Sequence, residues 1–212
     1  MRALGIDVGV KKGLDLVLLN ETRLVVAVRS RISPGDLPTL IADLRPDVIT
    51  IDSPPRFGNG APRKTEVEIR KRGISLYATP WEEEKKNRPF YDWMREGFKA
   101  FHACATAGFP LFSDDGYPGS AMEVFPYAVA VVLSGGLRPK GMTKRVWRRG
   151  VLASHGVDAT SLKNTDQVDA ALAALTGLLA LESQVCWEGD PSEGVIVLPC
   201  RAEDLKQRYL PV

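Results

Sequence analysis

Asp7, Asp52, Asp166 and Asp169 are the residues whose type and placement suggest chemistry: Asp7 in ALGIDVG, Asp52 in DVITIDSPP, and the last two in NTDQVDAALAALTGLLAL. Carboxylates gathered from distant parts of a chain repel one another, by roughly 4 kcal/mol for a pair about 4 Å apart at an effective dielectric near 20. That is a large fraction of the ~5–15 kcal/mol that keeps a domain folded, so a converged set should bind protons or a divalent cation. Carboxylates and waters are hard oxygen ligands suited to magnesium. Paired ions about 3.5–4 Å apart can stabilise both the attacking and the leaving oxygen of a phosphodiester hydrolysis. No serine or cysteine nucleophile is then required.

Each carboxylate also has a quieter explanation. Asp7 can serve only the glycine turn that follows it, and Asp52 can cap the segment after Pro54. Asp166 and Asp169 can be present because carboxylates favour a helix N-terminus by about 0.3–1 kcal/mol. Their joint placement, at two strand ends and one helix start, is what favours a site.

Residues 2–8 read as a short buried strand ending in Asp7-Val8-Gly9, followed by the turn Val10-Lys11-Lys12-Gly13, whose glycines take left-handed angles at little cost. Leu14 to Leu19 and Leu24 to Arg29 are two further apolar runs joined by Asn20-Glu21-Thr22, which gives three consecutive antiparallel strands. Leu37, Leu40, Ile41 and Leu44 line one face of a helix opened by Ser33-Pro34 and ended by Pro46. Asp47 to Asp52 is a fourth strand, and the helical crossover before it predicts that it lies parallel to the first. As neighbours about 4.8 Å apart, the two strands would turn Asp7 and Asp52 toward one crevice, the place where open α/β sheets bind ligands.

The stretch 56–118 is rich in Gly, Pro and charge around two predicted helices, Lys64 to Arg72 and Pro89 to Ala107, and reads as an insertion or lid within a single domain spanning 1–212. Ser120 to Phe125 is a fifth strand, and Pro126 opens a helix to about Ser134. A basic helix covers Thr143 to Ser154, and Asn164 or Thr165 caps a long apolar helix to about Leu181. A short strand over Val195 to Leu198 is expected in the tail. Asp166 and Asp169, spaced i and i+3, then share one face of the first turn of the long helix.

The combination GIDVGVKKG, IDSPP and DQVDAALAAL resembles the ribonuclease H-like superfamily, in particular its Holliday-junction-resolvase branch. More closely, IDSPP, TEVEIRKRG, GFPLF, MEVFPYA and DQVDAALAAL resemble the DUF429 family of predicted nucleases. The resemblance implies a mixed α/β sheet, three antiparallel strands followed by parallel strands four and five, flanked by helices. It also implies two magnesium or manganese ions that cleave nucleic-acid phosphodiesters, DNA or RNA. By position, Asp7 resembles the central first-strand ligand, Asp52 the fourth-strand ligand, and Asp166 and Asp169 the helix ligands. The resolvases usually place glutamate on the fourth strand, and Asp52 is shorter.

Glu123, on the expected fifth strand, is a further catalytic candidate, either an outer ligand or a residue that orients water. Lys11 and Lys12 in the first turn, Arg70 in TEVEIRKRG, and Lys140 and Lys144 near KRVWRRG are candidate phosphate contacts, and solvated helix faces explain the same letters. The indole and cations of KRVWRRG suit a single-strand-binding surface, without sequence specificity.

The chain has 212 residues, 44% hydrophobic and 25% charged, and a net charge of +2 from 28 basic and 26 acidic residues, the composition of an ordinary globular protein. No apolar run approaches the roughly 20 residues that span a bilayer, so no membrane partner is expected. With no secretory pattern at the N-terminus, a cytoplasmic location is expected. Cys104, Cys186 and Cys200 are widely spaced and predict buried or free thiols rather than a zinc site. A homodimer stays open. Two other functions fit part of the pattern: an actin-like ATPase or sugar-kinase relative, suggested by GIDVGVKKG alone, and a non-catalytic nucleic-acid-binding protein of the same fold.

Overall fold

A five-stranded mixed sheet positions the acidic residues. In the computed structural model, residues 1–9, 11–200, 208 and 209 are described, and Val10 of the expected first turn lies outside them. β1 (Arg2–Gly9), β2 (Gly13–Asn20) and β3 (Val25–Ile32) form an antiparallel meander. After α1 (Leu37–Leu44), β4 (Val48–Asp52) pairs parallel to β1, and β5 (Ala121–Glu123) pairs parallel to β4. The order is β3-β2-β1-β4-β5, so the crossover does make the first and fourth strands neighbours.

The period-two alternation of β1 sends its side chains to two cores. Leu4 and Ile6 pack with Ile49, Leu37 and Phe101 on one face, whereas Ala3 joins Val48, Val129, Leu152 and Leu172 on the other. α2 (Lys64–Lys71), α3 (Glu83–Lys86) and α4 (Asp92–Thr106) lie within 56–118. That stretch is not uniform: α4 supplies Ala100, Phe101 and Cys104 to the first core, while α2 and the chain after it border the site. Gly97 of α4 rests against Ser53, where a methyl group would meet the serine side chain.

α5 (Pro126–Ser134), α6 (Lys144–Ser154) and α7 (Thr165–Leu181) cover the second face. Asn164 caps α7 by accepting from the Gln167 amide, 2.7 Å away. From Gln167 to Ala180 every residue of α7 is buried, as expected for a helix that is apolar all round. Small residues let it lie directly on the sheet. Gly5 of β1 touches the α7 backbone, where a Cβ would overlap the Ala170 carbonyl and the Ala174 amide, and Gly177 sits against Ala3, Val48 and Thr50.

Two expectations fail in the tail. Val195 to Leu198 forms no strand but makes isolated bridges, Ile196 with Glu123 and Leu198 with Cys186, because Gly194 and Pro199 bound a segment that contacts a different neighbour on each side. The second bridge also brings Cys186 and Cys200 together as a disulfide with Cα atoms 5.5 Å apart, which leaves only Cys104 as a free, buried thiol. Among the described residues no helix is long and apolar enough to cross a membrane.

Candidate functional site

The parallel register of β1 and β4 sets Asp7 directly beside Asp52 at the carboxyl ends of both strands. Asp169 reaches the same point from the second turn of α7, carried there by the close approach at Gly5. One carboxylate oxygen from each of Asp7, Asp52 and Asp169 lies within 4.8 Å of the others. Asp7 and Asp52 are half-buried and Asp169 is 9% exposed.

Burial and mutual repulsion both oppose ionisation here. Burial first, and the charge of Asp169 second, push Asp52 up to about 8 against the pull of Arg148. Asp7 is held well above the usual carboxylate range by burial and then by Asp52, Asp169, Asp166 and Asp15. Burial pushes Asp169 up to about 6, even though the Arg148 guanidinium stabilises its charge. Arg148, on α6, donates through Nη1 to both carboxylate oxygens of Asp169.

The other expected residues lie outside the three converging carboxylates. Asp166 is one turn earlier on α7, outside the three converging carboxylates, with Oδ2 3.4 Å from Lys12 Nζ. Lys11 and Lys12 are exposed in the first turn. Arg70 is exposed on α2 and donates to the Leu76 carbonyl at 3.3 Å, and Lys140 is exposed before α6. Lys144 lines a cavity of about 420 Å³ with Arg138, Arg148, Tyr77, Phe125 and Tyr127.

Glu123 is 4% exposed and bound to Arg63 rather than to the aspartates. The two guanidinium nitrogens donate at 3.2 and 2.5 Å, one to each carboxylate oxygen. In the β4–β5 register Glu123 neighbours Ile51, one residue short of Asp52. Burial pushes it up to about 7, with Arg63 pulling the other way. Arg63 also donates to the Gly194 carbonyl and Thr79 Oγ1, at 3.2 and 3.3 Å.

Arg63, Arg148 and Asp15 are the participants that sequence reading passed over in these roles. Asp15 stands opposite Asp7 in the β1–β2 register, 4% exposed, and accepts from Ser30, which accepts from Gln167 at 2.9 Å. Its signal was a lone charge in the apolar run GLDLVLL. Arg148 lies beside Trp147, Val151 and Leu152, all buried, and a cation on the apolar face of a helix implies a buried anion opposite.

Residues 5–193 match the family described as "Protein of unknown function (DUF429)". Among solved structures, that of Thermus thermophilus RuvC aligns at a TM-score of 0.51 and 14% identity, covering 86% of this chain and 97% of that one. T. thermophilus RuvC in complex with Holliday junction substrate aligns at 0.47 and 14% identity, covering 86% and 94%. At this identity the first likeness establishes a shared ribonuclease H-like fold. No curated protein matches the chain.

Proposed function

The chain belongs to the DUF429 family, and from the carboxylates lodged in its sheet we propose a metal-dependent nuclease that hydrolyses nucleic-acid phosphodiesters. The observation that carries this reading is the convergence of Asp7, Asp52 and Asp169, oxygens within 4.8 Å of one another, in surroundings that disfavour their charge. A cation would relieve that cost. The cluster offers carboxylate oxygens only, the donor set that suits magnesium or manganese and not a thiolate- or imidazole-seeking metal.

Asp7, Asp52 and Asp169 would hold the ions, with Asp166 at the mouth. Bound there, the ions would activate water and neutralise the charge that builds on the phosphate oxygens. Arg148 offsets the charge of Asp169 in the ion-free site. Lys11, Lys12, Arg70, Lys140 and Lys144, all exposed, draw in the phosphate backbone and make binding salt-dependent. Glu123, tied to Arg63, fixes the end of β5 beside Ile51, one residue short of Asp52. Of residues 56–118, Glu66 on α2, Leu76, Tyr77, Thr79 and Trp93 line the cavity that includes Asp52.

A manganese-supplemented panel of branched, duplex and single-stranded DNA and RNA tests the reading. Wild type is expected to cleave at least one substrate, and Asp7→Asn none. Equal cleavage by both proteins, or none by either, removes the enzyme assignment.

A further inference from the structure

We propose that the cavity next to the carboxylates receives one unstacked, single-ring nucleobase and reads its amino group through Glu66. The proposal rests on the nucleic-acid reading above and adds the substrate feature the site recognises. The cavity measures about 180 Å³ and includes Asp52 in its lining, so whatever fills it lies against the carboxylate cluster. Its walls include Tyr77, Trp93 and Phe125, aromatic surfaces on which a base can stack. A cavity of roughly 150 Å³ holds one benzene ring, so this one suits a single pyrimidine rather than two stacked bases.

Glu66 shares the polar part of the lining with Asp52, Ser53, Thr79 and Glu123. It is 2% exposed and lines the space. Oε1 accepts from the Thr79 amide at 3.0 Å and from Thr79 Oγ1 at 2.5 Å and lies 3.7 Å from Arg63 Nη1, whereas Oε2 is buried and has no hydrogen-bond partner among the described residues. A buried acceptor without a donor is uncommon and calls for an explanation. A turn of the Glu66 side chain would bring Oε2, now closed off by its neighbours, to the cavity, and a base that offers an exocyclic N–H₂ would then supply the missing donor. A carbonyl in the same place would set acceptor against acceptor, so the 4-amino group of cytosine is preferred over the 4-oxo group of uracil.

The path into the cavity fits a single strand. Tyr77 and Phe125 also line the neighbouring 420 Å³ cavity, where Tyr127 adds a ring and Arg138, Lys144 and Arg148 add positive charge. Alternating rings and cations track a backbone with splayed bases. The phosphate next to the inserted base would then fall near Asp52.

Fluorescence anisotropy of labelled deoxycytidine and deoxyuridine dodecamers, titrated with the full chain in EDTA at pH 8, separates the possibilities. The expected result is about tenfold tighter binding of the deoxycytidine strand. Glu66→Gln should abolish or reverse that ratio, because the amide keeps its oxygen on Thr79 and turns N–H₂ into the cavity. Phe125→Leu should weaken both strands alike. Equal binding by wild type, or an unchanged ratio in Glu66→Gln, overturns the proposal. Wild type that binds both strands equally yet cleaves with manganese sinks the pocket and spares the nuclease reading. Discrimination in EDTA without any metal-dependent cleavage does the reverse.

Discussion

Arg148 on α6 donates to both oxygens of Asp169 on α7, and the two side chains are only 7% and 12% exposed. The guanidinium therefore occupies lone pairs that a cation would need, and it is the positive charge bonded directly to the carboxylate cluster. Arg148→Met strips Asp169 of its counter-charge. Breaking a buried pair from one side typically costs about 3–5 kcal/mol, so the urea midpoint in EDTA should fall accordingly. Added manganese should then raise the melting temperature of the variant by more than it raises that of wild type, because nothing competes for Asp169. A smaller shift in the variant would show that Arg148 supports the ion site instead of competing with it.

Stability should fall with rising pH when no metal is present. Burial and mutual repulsion push Asp52 up to about 8, burial pushes Asp169 up to about 6, and Asp7 is raised as well, all from an ordinary aspartate value of 3.8. A carboxyl group with a raised folded-state pKa contributes its stability in full below the unfolded value and loses it as pH climbs through the folded value. Between pH 6 and 8.5 the ion-free protein should thus lose on the order of 1–3 kcal/mol, since each tenfold difference in proton affinity between the folded and unfolded chain is worth roughly 1.4 kcal/mol. Asp52→Asn should flatten the slope, and magnesium should flatten it in wild type by taking the place of the proton. Denaturation curves at the two pH values, each with EDTA or magnesium, provide the check. A wild-type slope that Asp52→Asn leaves intact would assign the effect to other groups.

Gly5 should be intolerant of any side chain. A methyl group there overlaps backbone atoms of Ala170 and Ala174, which cannot rotate aside as a flexible side chain would. Overpacking typically costs about 1–3 kcal/mol, and with helix backbone rather than a movable side chain in the way Gly5→Ala should lose about 3 kcal/mol or more. Because relief requires moving α7 off β1, Asp169 should also leave Asp7, and the manganese-induced melting shift should vanish. A well-folded Gly5→Ala that keeps the full shift would show that α7 can move without opening the cluster.

The strand order was legible because each step had a strong local cause: short polar links between the first three strands, a helical crossover before the fourth, and proline or asparagine at element boundaries. The meeting of Asp7 with Asp52 follows from that order, since parallel neighbours of similar length end together. The partners of the charged groups were not legible. Arg63 finds Glu123 across 60 residues and Arg148 finds Asp169 across 21, and such pairings depend on how helices cross the sheet. The position of Glu123 depended on strand register, where Ile51 rather than Asp52 is its neighbour. Gly5 reads as an ordinary strand glycine until the helix above it is placed. The Cys186–Cys200 link hung on a tail segment whose pattern suggested a strand.

The aspartates should separate by what their removal does to the ion-free protein. Asp7 feels repulsion from Asp52, Asp169, Asp166 and Asp15 in addition to its burial. Asp7→Asn keeps the side-chain shape and deletes the charge, so at pH 8.5 in EDTA it should stabilise the fold by about 1–3 kcal/mol, a portion of the roughly 4 kcal/mol expected for one close pair. Stabilisation on removing a functional group is the familiar trade between stability and activity. Asp166 is about one-third exposed and faces Lys12, so solvent screens its charge and Asp166→Asn should change stability by less than about 0.5 kcal/mol. Urea denaturation of the two variants beside wild type measures both effects. An Asp7→Asn less stable than wild type under these conditions would mean that its carboxylate is satisfied by hydrogen bonds within the fold, which would remove the electrostatic reason to expect a cation there.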